Sequence, residues 1–553
     1  MAGTGDSAPG SIAGPAALLG VALLAMAIHL HQAGSSAGPP EAVLAGSQGG
    51  GSSVASAWTS HAAQILAGIA AAALLGVSAT VRLRRRRLLD TGILGRARTA
   101  RGSDLRALRQ GIRRGSGQAP RVRLGSHRRR DLWLPDDEHL LVLGPTGSGK
   151  SSALAIPALL EWPGPVIVTD PKGELVRTTL EHRRTLGKAV VFAPLMEPTA
   201  RWNPIGSIVS SEDALRVATL LMGRAPDREP FWHDLARQLM HGLLVEAASL
   251  GLGPSGILEM LQAVPAEELA EVIGHPVAQR LVQGALSGGD RTSMGVVATL
   301  VAQLGAYGSG QVAGATATSD FNPAEIAGGG VKTIYCVVAP HDAPVLRGLI
   351  SALISSCWRS LFAAPPAVPA LFVLDEFTQL TNLPELPALV QLGRSQGVRM
   401  MLMAQDLGSI SATYGSEAAG ALWSNCRTKL LLPGISELEL LERASKLAGT
   451  ATLHRREAST TEAVASQPLL HPDDIRRLKD GQALLLHGGD QAAVIGQRRW
   501  YVDRVLRGRV NTEAATPLPS TARGRPIRDW TEPDSRWQAA TNPLSWNPAD
   551  IEP

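Results

Sequence analysis

Nine consecutive residues carry the types and order needed to hold a polyphosphate. Gly144, Pro145, Thr146, Gly147, Ser148, Gly149, Lys150 and Ser151 complete the pattern of a glycine-rich phosphate loop, and Ser152 extends it. Glycines are required because backbone N–H groups must close around a β-phosphate, where side chains would obstruct the approach. Lys150 is placed to reach the β- and γ-phosphates, and Ser151 to ligate magnesium. The chemistry expected is binding and cleavage of ATP with Mg2+. The bland alternative is a chance match, and the flanking residues argue against it.

A second signal lies in Pro369 to Leu380 (PALFVLDEFTQL), an apolar run ending in Asp375 and Glu376. A buried parallel strand ending in an acid suits a carboxylate that holds the magnesium shell, so Asp375 is assigned to metal. Glu376, next in line, is placed to polarise the attacking water. By itself an apolar run followed by two acids says little, but downstream of a complete phosphate loop it becomes specific.

These residues need elements to position them. His139 to Leu160 reads as a short apolar strand, the loop, and an apolar-periodic helix whose N-terminus adds partial positive charge. Further strand candidates are Pro165 to Thr169, Ala189 to Phe192, Val331 to Val338, Val398 to Met403, Thr428 to Leu432 and Ala483 to Leu486. Most are apolar throughout and alternate with helical stretches, which predicts an α/β core: a parallel sheet covered on both faces.

At 553 residues, 44% hydrophobic and 18% charged, the chain has material for a large folded domain and a smaller one, which excludes disorder throughout. Cys336, Cys357 and Cys426 are odd in number and lack metal spacing, so neither a disulfide framework nor a zinc site is expected. Cys336, inside an apolar run, reads as a core residue. The net charge of +5 is uneven: Arg82 to Arg130 holds 17 Arg against two Asp, so the rest of the chain is acidic. Those arginines have two readings, contact with anionic lipid headgroups or a collar for nucleic-acid phosphates. The lipid reading is preferred.

Ile12 to Leu30 and Ala62 to Val81, of 19 and 20 residues, are free of Asp, Glu, Lys and Arg and long enough to cross a bilayer core of about 30 Å. A cleaved signal peptide would need a basic leading region, which the first run lacks. The link His31 to Ser60 has no Lys or Arg, whereas five Arg lie between Arg82 and Arg87, so the link is expected outside a bacterial plasma membrane and the long remainder in the cytoplasm.

Beyond the loop, VIVTDPKGEL (Val166 to Leu175), ARWNPI (Ala200 to Ile205), LDEF (Leu374 to Phe377) and GRSQGVRMMLMAQD (Gly393 to Asp406) follow in fixed order. Together they resemble the type IV secretion coupling proteins of the VirD4/TraG kind, relatives of the FtsK-type DNA pumps. DPKGEL is the distinguishing part. The resemblance implies a RecA-like P-loop ATPase core, an N-terminal two-helix transmembrane hairpin and an inserted all-α domain that contacts cargo. It implies a homo-hexameric motor moving DNA or a relaxase–DNA complex into a conjugation channel, with channel components and membrane lipids as partners. Gln405 stands where the family carries a polar γ-phosphate sensor, and Arg394 where it presents an arginine to the neighbouring subunit's nucleotide. Arg399 is the runner-up for that finger, and a surface arginine at a helix end is the plain alternative. Asp170 and Lys172 fall at the carboxyl edge of the sheet, where ligands of open α/β sheets bind. The plain alternative is that Asp170 caps the next helix and Lys172 pairs locally.

The expected divisions are residues 1–90 (membrane hairpin), 91–138 (basic connector), 139–205 and 320–505 (nucleotide-binding domain), 206–319 (all-α) and 506–553 (tail). Phe231 and Trp232, at a helix start, read as core anchors or a contact site; Trp530, Trp537 and Trp546 in the tail would pack on their own domain or on a partner. Three rivals stay open: an FtsK-type chromosomal translocase, a secretion ATPase for protein cargo only, and a non-enzymatic receptor with a degenerate loop. The intact Lys150, Ser151, Asp375 and Glu376 disfavour the last.

Overall fold

The computed structural model describes residues 97–109, 120–196, 199–225, 230–308, 310–456 and 462–510, without the side chains of Arg394 and of residues 452–465. The expected membrane hairpin, parts of the basic connector and the tail beyond Val510 lie outside the described residues. Among those described, the helix Ala343–Ala363 is long and apolar enough to span a bilayer. Its Leu349, Leu353 and Leu361 are fully buried, which makes it a core helix.

The strands are β1 (Arg123–His127), β2 (Arg130–Trp133), β3 (Leu140–Leu143), β4 (Val166–Asp170), β5 (Ala189–Phe192), β6 (Thr333–Val337), β7 (Ala370–Leu374), β8 (Val398–Ala404), β9 (Thr428–Leu431), β10 (Thr450–Arg456), β11 (Glu462–Pro468), β12 (Gln482–His487) and β13 (Ala493–Gly496). Eleven form one sheet in the order β2-β1-β13-β12-β9-β3-β8-β7-β4-β6-β5, and β10 pairs with β11 separately. From β9 to β5 neighbouring strands are parallel. The strands β12, β13, β1 and β2 extend the sheet by antiparallel pairing.

This corrects the wholly parallel sheet expected from the sequence. Ala483 to Leu486 is a strand, but it runs against β9, with Leu484 opposite Leu431. An apolar run reports burial on both faces and says nothing of direction. Within the basic connector, β1 and β2 were not anticipated. Arginines disguise β1: Arg121, just ahead of it, bonds Asp136, and buried Arg123 lies 3.3 Å from Asp503. Arg128, Arg129 and Arg130 remain exposed.

Alternation along the central strands divides the core between the two faces. Ile167, Phe372, Leu374 and Leu402 face one side, with the helix Ala343–Ala363 and the helical body. Val168, Leu371, Val373 and Met401 face the other, against the helices following the phosphate loop and Glu174–Leu186. Cys336, Cys357 and Cys426 are buried and free.

Between β5 and β6 the chain makes a helical excursion: Ser211–Met222, Pro230–Leu250, Pro254–Ala263, Leu269–Val272, Pro276–Ala285, Asp290–Leu304 and Gly310–Ala317. Ser210 caps the first of these by accepting from the Asp213 N–H, and prolines open several others, where a missing N–H costs nothing. Pro230–Leu250 buries Ala236, Leu239, Met240, Leu243, Leu244 and Ala247 at helical spacing. Trp232 is half-buried beside Gly295, whereas Phe231 is 59% exposed, so only the tryptophan behaves as an anchor.

The outgoing and returning segments of this excursion are stitched together. Trp202 N–H donates to Ala315 O, Asp320 N–H to Arg201 O, and the Arg201 guanidinium meets the Asp320 carboxylate at 2.8 Å. Higher up, Arg359 of the core helix reaches Asp213 at 2.6 Å.

Candidate active site

The loop Gly144 to Ser151 leaves the carboxyl end of β3, and β3 lies between β9 and β8. Gly144 N–H donates to Ala404 O at the end of β8, which ties the loop to the adjacent strand. A Cβ on Gly144 would lie 2.7 Å from Leu432 Cβ and 2.8 Å from Ser148 Oγ, so no side chain fits there. Gly147 and Gly149 have φ of 82° and 96°, open to glycine and strained for other residues. Pro145 O accepts from Ser148 N–H, closing the turn, and Thr146 is exposed at its tip. Ser152 Oγ donates to Gly149 O at 3.4 Å.

The following helix opens with a π-helical turn, Ser151–Ala155, and continues as Ile156–Glu161. Such wider turns recur at functional sites. Lys150 is buried at the start of this helix. Its Nζ donates to Gly144 O at 2.5 Å and lies 3.0 Å from Glu376 Oε1.

The strand β7 delivers the acids, one strand beyond β8. Ser151 Oγ donates to Asp375 Oδ2 at 3.0 Å, bridging 224 positions of sequence. Thr169 Oγ1 donates to the carbonyl of Asp375 at 2.8 Å and fixes the end of β7 against β4. Glu376 adopts a left-handed backbone, φ 46°, unusual for a residue with a side chain and a form of strain concentrated at functional sites.

Three buried polar atoms here have no hydrogen-bond partner: Asp375 Oδ1, Glu376 Oε2 and Ser148 Oγ. Buried polar groups are ordinarily satisfied, so a cluster of orphans facing a glycine cradle fits a ligand that would engage them. Oxygen donors from a hydroxyl and a carboxylate match a magnesium ion. Burial, reinforced by the adjacent Glu376 carboxylate, pushes the Asp375 carboxyl up to about 7, against the pull of Lys150 and Ser151. A divalent cation would hold it ionised.

The other expected residues divide. Gln405 follows β8 directly, between the loop and the acids, and is half-buried. Asp170 is buried at the end of β4, where its two oxygens accept from Lys172 N–H at 3.2 Å and Val176 N–H at 2.8 Å. Burial pushes its carboxyl up to about 6 although both amides pull it down. Its geometry is that of a cap for the helix Glu174–Leu186, and Lys172 is exposed. Arg394 lies in the 3-10 turn Gly393–Gln396 ahead of β8, and its side chain is outside the described residues. Arg399 is buried within β8, donating to Val398 O.

Two participants escaped sequence reasoning. Thr169 sits inside a strand motif with no visible reason to touch Asp375. Arg499, after β13, has its Nε 3.6 Å from the position a Cβ would take on Gly149. Only the closing of the sheet brings it there, so no local signal exists.

A glycine cradle, an inward lysine and an acid pair on a mostly parallel sheet define an α/β protein of the phosphate-loop class. Residues 99–522 match the family model for type IV secretory system conjugative DNA transfer, and the chain belongs to that family. It is 29% identical over 406 residues to Protein VirD4 of Rhizobium rhizogenes, covering 67% of this chain and 60% of that protein. It is 24% identical over 453 residues to the conjugal transfer protein TraG of Escherichia coli, covering 70% of each. The chain thus spans about 60% of the length of the VirD4 relative. Among solved structures, the bacterial conjugative coupling protein TrwBdeltaN70 superposes with a TM-score of 0.60 at 20% identity, over 74% of this chain and 94% of that one. TrwB has also been solved with ADP and Mg2+.

Proposed function

We propose that this chain is a membrane-anchored coupling ATPase that uses ATP to move DNA, or protein-bound DNA, into a type IV secretion channel. The observation that carries the reading is the 3.0 Å contact between Ser151 Oγ and Asp375 Oδ2, with Lys150 and Glu376 paired beside it. Family membership supports the cargo and channel. TrwB bound to ADP and Mg2+ supports the ligand, and Ile12 to Leu30 and Ala62 to Val81 would supply the anchor.

The loop amides would hold the β-phosphate, and Lys150 would exchange Glu376 for phosphate oxygens. Ser151 and Asp375 would hold magnesium, which when bound neutralises charge on the β- and γ-oxygens. Glu376, relieved of Lys150, would orient and accept a proton from the attacking water. Gln405, set between loop and acids, would hydrogen-bond the γ-phosphate or that water.

The position of Arg394 supports a role on a neighbouring subunit's nucleotide in place of its own. It precedes β8, whereas the site lies past the strand's other end, and seven residues at about 3.3 Å each separate the two edges by roughly 20 Å. An arginine so placed would act on a neighbouring subunit, which supports a ring, a hexamer in our reading. Arg399, buried and bonded within its own strand, is the weaker candidate.

The test uses the full chain in detergent or nanodiscs. ATPase activity is expected to rise with DNA in a sequence-tolerant, salt-sensitive way, and to vanish in both Lys150→Ala and Arg394→Ala. Mixing the two dead variants should restore part of the activity. No recovery would remove the arginine shared between subunits, and activity indifferent to DNA would favour protein cargo.

A further inference from the structure

The segment that closes the sheet returns to the phosphate loop, and it brings a cation that none of the loop motifs contains. After β13 the chain passes through Arg499 into the short turn Trp500–Val502, which packs against the π-helical turn Ser151–Ala155. Arg499 is 28% exposed and held in place from two sides. Its Nη1 donates to Tyr501 Oη at 2.9 Å, and its Nη2 to Asp480 Oδ1 at 2.6 Å. A guanidinium has five N–H donors, so these bonds leave others available. Arg499 Nε and Nη2 lie 3.6 and 3.7 Å from the position a Cβ would take on Gly149, and Ser152 Oγ lies 3.7 Å from that same point.

The flank matters. Lys150 Nζ turns toward Gly144 and Glu376, and with Asp375 it marks the side where the γ-phosphate would be cleaved. Arg499 approaches where the loop passes into its helix, at Gly149 and Ser152. A nucleotide threaded with its γ-phosphate among the acids would lead its α-phosphate and ribose away from them.

We propose that Arg499 is a nucleotide-binding residue acting within its own subunit, contacting the α-phosphate or ribose oxygens of the nucleotide held by the loop, with Tyr501 and Asp480 as its positioning residues. This rests on the loop being the nucleotide site. Its signature differs from that of Lys150 or Glu376: a contact behind the β-phosphate strengthens diphosphate and triphosphate equally and leaves the cleavage step alone.

Equilibrium binding of fluorescent ADP and of a non-hydrolysable fluorescent ATP analogue decides it, measured on the full chain in detergent for the parent, Arg499→Ala, Arg499→Lys and Lys150→Ala. A lost hydrogen bond to a charged partner corresponds to roughly tenfold or more in affinity. Arg499→Ala should weaken both ligands by about that factor alike, and Arg499→Lys by less. In turnover assays KM should rise for Arg499→Ala with kcat unchanged. Lys150→Ala should weaken the triphosphate more than the diphosphate. Unchanged affinities in Arg499→Ala with a lowered melting temperature would reduce Arg499 to a structural strut and overturn the proposal. So would loss confined to the triphosphate. Failure of the parent to bind either ligand would overturn the loop reading itself and this inference with it.

Discussion

Replacing Glu376 with glutamine separates holding the nucleotide from cleaving it. The carboxylate is buried, with Oε1 3.0 Å from Lys150 Nζ and Oε2 without a partner. Glutamine keeps the shape and an acceptor for Lys150, but an amide cannot take a proton from water. Loss of a positioned general base corresponds to about 10²–10⁴-fold in turnover. Affinity should move the other way. A buried hydrogen bond to a charged group contributes about 1.5–3 kcal/mol, and weakening it frees Lys150 for phosphate, so binding is expected to hold or tighten, by at most about 10–150-fold. Phosphate release in the presence of DNA gives the first quantity, and titration with a fluorescent ATP analogue the second. Glu376→Gln turning over within tenfold of the parent would refute the assignment of the base. Loss of binding would show that Glu376 builds the site instead of working in it.

Asp170→Asn tests the capping geometry through pH. The folded carboxyl sits at about 6 against an ordinary 3.8, so the folded state holds its proton more firmly than the unfolded chain. That charge therefore costs stability above pH 6, and the cost fades as pH falls toward 4; two pKa units amount to about 3 kcal/mol. The melting temperature of Asp170→Asn relative to the parent should accordingly climb between pH 4.5 and 7.5, and a flat difference would contradict the burial argument. Arg183→Met tests a clamp remote from the site: Arg183 is fully buried and bonds the carbonyls of Trp162, Gly164 and Lys332 and the hydroxyl of Thr333. Orphaning four acceptors at about 1–3 kcal/mol each should cost at least about 4 kcal/mol, read as a lower urea midpoint, with nucleotide affinity unchanged.

The parts of the site that could be read directly were contiguous ones. The glycine loop and the acid pair each lie within a few residues, and each ends an apolar strand whose burial is written in its composition. The sequence also carried the α/β class, because strands covered on both faces must be apolar throughout. Pairing direction was invisible in Ala483 to Leu486, since burial and polarity are the same for either sense. The strand β1 was hidden because Arg123, and Arg121 just ahead of it, meet Asp503 and Asp136 in the folded chain. Asp170 carried two readings, a ligand edge and a helix cap, and its oxygens accept from Lys172 and Val176. Arg499 lies hundreds of residues from the loop it approaches, and no spacing rule links them.

The stitching of Arg201 and Trp202 to Ala315 and Asp320 gives the helical body a narrow waist. The outgoing and returning chain lie side by side there, so the ends of the excursion are already joined, while its first helix rests separately on the core helix Ala343–Ala363 through Asp213 and Arg359. An insertion tied at its ends in this way can vary in its outward helices while the strands that carry the glycine loop and the acid pair keep their register.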